Sequence, residues 1–309
     1  MPNKTRFHKS TFAVTMVSAL LVLAGCGTNV SAATVATYNG GTLSQPEFET
    51  QVHIEQLLNP TMTPSATIQT DIAKQYIVLA RLLLPVAQKA VPKMKTSVLH
   101  QDTLQFEKNI ISGLYSNNST TFNQKMQSLK LTEADLETYV QEQLTLSSYA
   151  QTLVKTIPLS EQQLYYKNNL EQYTTITEQA ILVKSQSLAQ SLANQLRAGA
   201  SWKTLAAKYS QDPGSAKNSG IYTNQNPTNW VAPFAQHAMT QPIGQVGQPF
   251  NSTYGWFVMR VISRTTQPFS KVQSSVMSAL VQQNEKSAFL ALYNQKLKTA
   301  NIKVTLPKA

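Results

Sequence analysis

Four histidines and one cysteine are the side chains of this 309-residue chain best suited to acid-base or nucleophilic work near neutral pH, and no two of them are neighbours. His8, His53, His100 and His237 are scattered, and Cys26 lies near the start. A metal site needs clustered ligands, a phosphate cradle needs a Gly-rich run, and nucleophilic catalysis needs a base beside its nucleophile; the sequence carries none of these patterns. No metal or other cofactor is expected. A histidine without an identified partner is weak material for proton transfer, so His237, just beyond Phe234 on a short predicted helix, is read as a surface or capping residue.

Cys26 suits a different reaction. Residues 1–25 hold Lys4, Arg6 and Lys9 and no acid, then an apolar stretch from Phe12 to Ala24, then Gly25. An apolar run that short falls below the roughly 20 residues that span a bilayer, and reads as a cleaved signal peptide. Leu23-Ala24-Gly25-Cys26 resembles a bacterial lipobox, which implies lipidation of the Cys26 sulfur and cleavage ahead of it. Two or more acyl chains anchor a protein stably, at about 0.8 kcal/mol per buried methylene. The expected location is therefore the outer face of a cell membrane, lipid-anchored. As the single cysteine, Cys26 leaves no intramolecular disulfide, and stability must come from packing.

Hydrophobic residues make up 42% of the chain, enough for real cores, and its length favours two domains over one. Removing residues 1–25 leaves 23 bases against 15 acids, a net charge of +8. That sign favours anionic neighbours such as wall polymers or lipid head groups, or simply keeps the protein soluble. No run of Lys and Arg interleaved with aromatics occurs, so no nucleic-acid partner is expected. The shortage of Asp and Glu suggests an acidic working environment, where carboxylates stabilise least, or simply drift in composition.

The elements divide the chain into segments. After a tether over residues 26–33, Thr34 to Asn39 reads as a strand closed by Asn39-Gly40-Gly41. A helix follows at once, with Ser44 and Glu47 as a capping box and Pro46 in its first turn. A helix from Ser65 to Ala90 carries Ile68, Ile72, Tyr76, Leu79 and Leu83 at helical spacing, with a kink at Pro85. Helices over 101–114, 120–129 and 133–155 complete a nearly all-helical part, 34–157. A linker helix over 158–174 leads to a change from period 3.6 to period 2. In 175–265 the spacing predicts a strand over 177–184, helices over 187–198 and 202–209, a loop over 211–229, a short helix over 233–239, and a hairpin ending in a strand over 256–262. Residues 266–309 form a C-terminal helix with a strand-like tail at 302–306. The fold class is α+β: a small sheet domain inserted into a helical domain built from N- and C-terminal segments.

Several stretches carry a resemblance. Val35-Ala36-Thr37-Tyr38-Asn39-Gly40 with Glu47-Phe48, Ala180-Ile181-Leu182-Val183-Lys184, Trp202 to Ala206, Lys208-Tyr209-Ser210-Gln211-Asp212, Asn218-Ser219-Gly220, Val231 with Phe234, Ile243 to Val246 and Tyr254-Gly255-Trp256 follow one another in family order. The mature chain resembles the extracytoplasmic foldase lipoproteins of the PrsA and SurA type, with a parvulin peptidyl-prolyl isomerase domain in a helical chaperone domain. The resemblance implies an apolar proline pocket beside a polar cluster of two His and a Cys or Asp. Here those polar positions align with Ala180, Ile221 and Phe257, so no catalytic position is intact. Trp230 and Phe234 align with the proline-contacting residues, or belong to the ordinary core.

The activity to be helped is rotation about an X-Pro bond, with a barrier of roughly 18–20 kcal/mol. Loss of all three polar groups implies a membrane-anchored chaperone that binds unfolded or newly secreted polypeptides, with weak or no isomerase activity. The alternative is an active isomerase whose site is rebuilt from groups such as Tyr222, Asn224 or Tyr254. A solute-binding lipoprotein would need two α/β lobes, which the sequence lacks.

Overall fold

The computed structural model describes residues 33–306. Cys26, the signal peptide and nearly all of the tether lie outside them. The chain divides into two compact units, one made of residues up to Lys155 and from Gln283 on, the other of Thr156–Gln282.

The first unit begins with a hairpin rather than a lone strand: β1 (Thr34–Tyr38) pairs with β2 (Gly41–Ser44) around a turn in which Gly40 has φ +115°, a conformation glycine adopts at little cost. Ser44 ends β2 and starts α1 (Gln45–Leu58); the Glu47 carboxylate accepts from its amide at 3.1 Å and from its hydroxyl at 2.6 Å. The helix expected over 65–90 is three pieces: α2 (Ala66–Tyr76), a π-helical segment (Ile77–Leu83) and α3 (Leu84–Ala90). Pro85 cannot donate to Arg81, and its ring crowds that carbonyl. The wider π turn before it lets the helical path continue where a simple kink was expected. Next come α4 (Thr96–Leu114), α5 (Ser119–Ser128) and α6 (Glu133–Thr152), the last opened by a Thr132–Asp135 capping box. Ile54, Leu57, Tyr76, Ile77, Leu83 and Leu136 lie at the centre of this unit's core.

In the second unit, α7 (Leu159–Asn168) and a 3₁₀ turn lead into β3 (Thr174–Val183), followed by α8 (Gln186–Arg197), α9 (Trp202–Tyr209), β4 (Ile221–Gln225), α10 (Ala232–Thr240), β5 (Phe250–Ser252) and β6 (Gly255–Thr266). The sheet is antiparallel in the order β4-β3-β6-β5. β4 lies in the stretch read as loop; it is a short, half-exposed edge strand whose polar residues carry no alternating pattern. Alternation along β3 and β6 separates two cores. Ile181, Val183 and Val258 pack with α8 and α9, while Ala180, Leu182, Phe257 and Met259 pack with Phe234 and Ala238 of α10.

The C-terminal helix α11 (Phe269–Thr299) was expected to pack whole on the helical domain, but it is divided at Gln283. Its first part belongs to the second unit, where Phe269 stands edge-on to Tyr166 at 5.6 Å and Gln273 donates to Gln162 at 3.2 Å. Its second part carries Phe289, Leu292 and Tyr293 into the first unit's core. β7 (Lys303–Val304) then pairs with β1, completing a sheet in the order β2-β1-β7. Among the described residues no helix is long and apolar enough to cross a membrane.

Candidate functional site

The site lies on the α10 face of the second sheet. In the β3–β6 ladder Ala180 opposes Met259 and Leu182 opposes Phe257, and Phe257 in turn opposes Phe250 of β5, so these side chains share one face. The 3₁₀ turn Pro227–Asn229, capped by Asn226, delivers Trp230; Pro233 in the first turn of α10 then sets Phe234 over the sheet. Trp230 stands edge-on to Phe234 at 5.0 Å, and Phe234 edge-on to Phe257 at 4.8 Å and to Phe250 at 5.9 Å. All three edge-on arrangements suit the ring quadrupoles. Phe234 is only 6% exposed and is a core residue, whereas Trp230 is half-buried at the rim.

Ala180 and Phe257 therefore come together on this face, but Ile221 does not. It opposes Gln179 across β3–β4, and so points to the other side of the sheet, where Arg260 donates to Gln179 at 2.6 Å and lies over Trp202. His237 is not a free surface residue: its ring stacks on Phe250 at 4.0 Å and 13°, and burial lowers its pKa, keeping it neutral at pH 7. Of the groups proposed for a rebuilt site, Tyr254 is 59% exposed, and Asn224 is exposed on β4, where its backbone is left-handed. Tyr222 alone of the three stands in a polar cluster.

That cluster contains two residues the sequence reading did not assign to the site, Glu178 and Asp212. After α9 the chain is pinned to β3, since the Gln211 amide donates to the Leu182 carbonyl at 2.8 Å and the Leu182 amide to the Ser210 hydroxyl at 3.3 Å. This places Asp212 beside the sheet, where it accepts from the Ser215 hydroxyl and, at 3.4 Å, from the Gly214 amide. Burial, and then Asp212, which also bonds it, raise the Tyr222 phenol. A side chain at Gly214 would collide with that phenol. Glu178 opposes Tyr222 across β3–β4, with no exposed surface and no hydrogen-bond partner for either carboxyl oxygen among the described residues. Burial, and secondarily Asp212, push its pKa up to about 9. A signal was present: along Ile176, Glu178, Ala180 and Leu182 a carboxyl interrupts an otherwise apolar face. Asp212 closed a family motif, yet only the folded loop puts it beside β3. Among the described residues no group of three or more His, Cys, Asp or Glu stands together for a metal ion.

Residues 154–265 match the family described as the PPIC-type PPIASE domain. The chain is similar to the foldase protein PrsA of Clostridium botulinum strain 657, 24% identical over 206 residues, covering 63% of this chain and 61% of that protein. It is 34% identical over 134 residues to the chaperone SurA of Pseudomonas fluorescens Pf0-1, covering 41% of this chain and 30% of that one. Among solved structures, the peptidylprolyl isomerase PrsA of Bacillus cereus covers 89% of this chain and 94% of its own at 20% identity, with a TM-score of 0.48. The match thus spans about three fifths of the length of the first of these relatives.

Proposed function

We propose that this chain, whose residues 154–265 match the PPIC-type PPIASE domain family, is an extracytoplasmic foldase that holds unfolded or newly secreted polypeptides while they fold. The observation that carries this reading is the aromatic face: Trp230 stands at the rim of a cluster of Phe234, Phe250 and Phe257, in which the resemblance aligns Trp230 and Phe234 with proline-contacting residues and Phe257 with a polar one. Apolar surface buried there stabilises a bound segment by roughly 25 cal/mol per Å². With Ala180 and Phe257 in place of histidines, isomerisation is weak or absent. Lipid on Cys26 holds the protein at the outer membrane face, and the basic balance favours anionic polymers or head groups nearby.

The deciding measurement is a paired assay of peptide binding and prolyl isomerisation. Binding of a proline-containing peptide that Trp230→Ala weakens, with turnover no faster than in buffer, supports the reading. Turnover abolished by Trp230→Ala would replace it with that of an active isomerase, a second reading supported by the cluster of Asp212, Ser215 and Tyr222 at the β4 edge of the sheet.

A further inference from the structure

Between Asp71 and Asp102 the chain holds Lys74, Arg81, Lys89, Lys93 and Lys95 and no Asp or Glu. Arg81 is tied to Glu47 and Lys74 is half-buried. Lys89, Lys93 and Lys95 are exposed, and their side chains make no hydrogen bond or ion pair among the described residues. The three follow one another around a single corner of the first unit: Lys89 is in the last turn of α3, Lys93 in the connection, and Lys95 at the N-cap of α4. That helix start is unlike the capping boxes at Ser44 and Thr132, since no side chain caps it and no acid lies in its first turn. A cation beside the positive end of a helix is unfavourable, so the helix it starts does not account for Lys95. Aliphatic surface lies among the charges. Val86, three residues before Lys89 on α3, is 42% exposed, and Val98, three residues after Lys95 in the first turn of α4, is 43% exposed.

Charge alone would suit any polyanion. Exposed aliphatic groups between lysines suit a bilayer surface, where apolar side chains enter the head-group boundary while ammonium groups meet phosphates. The tether points the same way. Residues 26–33 separate the lipid expected on Cys26 from β1 and reach at most about 29 Å, less than the roughly 40 Å width of a compact unit of this length. An anchored first unit therefore turns one of its faces to the head groups. We propose that the α3–α4 corner is that face, a membrane-docking surface on which Lys89, Lys93 and Lys95 bind anionic phospholipid head groups and Val86 and Val98 sit against the boundary. The proposal rests on the reading of Cys26 as a lipid anchor and adds which surface of the anchored unit meets the bilayer. Each lysine held near an anionic surface strengthens binding about fivefold.

The test is co-sedimentation of the full mature chain carrying Cys26→Ser, which reads the surface without acyl chains, with vesicles of phosphatidylcholine alone or of equal parts phosphatidylcholine and phosphatidylglycerol. Binding is expected to the mixed vesicles only, and is expected to fade in molar salt. Lys89→Gln, Lys93→Gln and Lys95→Gln combined are expected to weaken it about a hundredfold. Lys203→Gln, Lys217→Gln and Lys271→Gln combined, which remove the same charge from exposed positions of the second unit, are expected to leave it near the starting value. Equal losses in the two triple variants would reveal an effect of net charge and overturn the proposal. Binding to soluble polyphosphate but to neither vesicle overturns it in favour of a wall polymer. The anchor is judged apart, by the mass of the native Cys26: an unlipidated native chain overturns the anchor alone, since vesicle binding reads the surface by itself.

Discussion

Arg81, in the π-helical segment, forms an ion pair with Glu47, the same carboxylate that closes the first turn of α1 through Ser44. One side chain thus ties a helix start to the turn that Pro85 imposes. Removing either partner strands a partly buried charge, and Glu47→Ala loses the cap as well. Denaturant unfolding of Glu47→Ala is expected to show a loss of about 3 kcal/mol, with a smaller loss for Ser44→Ala.

Glu142 on α6 is also buried, with both carboxyl oxygens unpartnered; burial, opposed in part by Arg81, raises it to about 9. Glu142 and Glu178 therefore bind protons more tightly folded than unfolded. Stability is greatest below their ordinary value of 4.5, falls as pH rises, and levels off above about 9. At pH 7 each costs about 3 kcal/mol relative to acid. Thermal melts are expected to move down between pH 5 and pH 8, and Glu142→Gln with Glu178→Gln to flatten the profile and raise the melt at pH 8. A flat wild-type profile would remove the argument for an acid-adapted protein.

Trp230 and Phe234 touch, yet their substitutions are expected to part. Phe234→Ala opens a cavity among Phe250 and Phe257 and is expected to cost about 3–5 kcal/mol in chemical unfolding. Trp230→Ala, at the half-buried rim, is expected to cost far less stability and to reduce peptide binding. Equal losses of stability would make both of them plain core.

Cys26→Ser removes the sulfur that lipidation needs. In cells the variant is expected to leave the membrane fraction, and mass spectrometry of the wild type to show a diacylglyceryl mass on the residue that begins the mature chain.

Local chemistry made much of this protein legible. The caps at Ser44 and Thr132, the amphipathic helices, the apolar strand of β6 and the family order from Ala180 to Trp256 all depend on residues a few positions apart, so their spacing announces them. Tertiary pairing alone decided the rest. Ile221 aligns with a site position in one dimension, but its register opposite Gln179 turns it to the wrong face. Glu178 reads as a flaw in a strand; only the fold buries it completely, which holds its proton, and sets Tyr222 opposite it. A side chain's type and periodicity belong to the chain, whereas its pKa and its partners are set by the dielectric and the charges that folding brings around it.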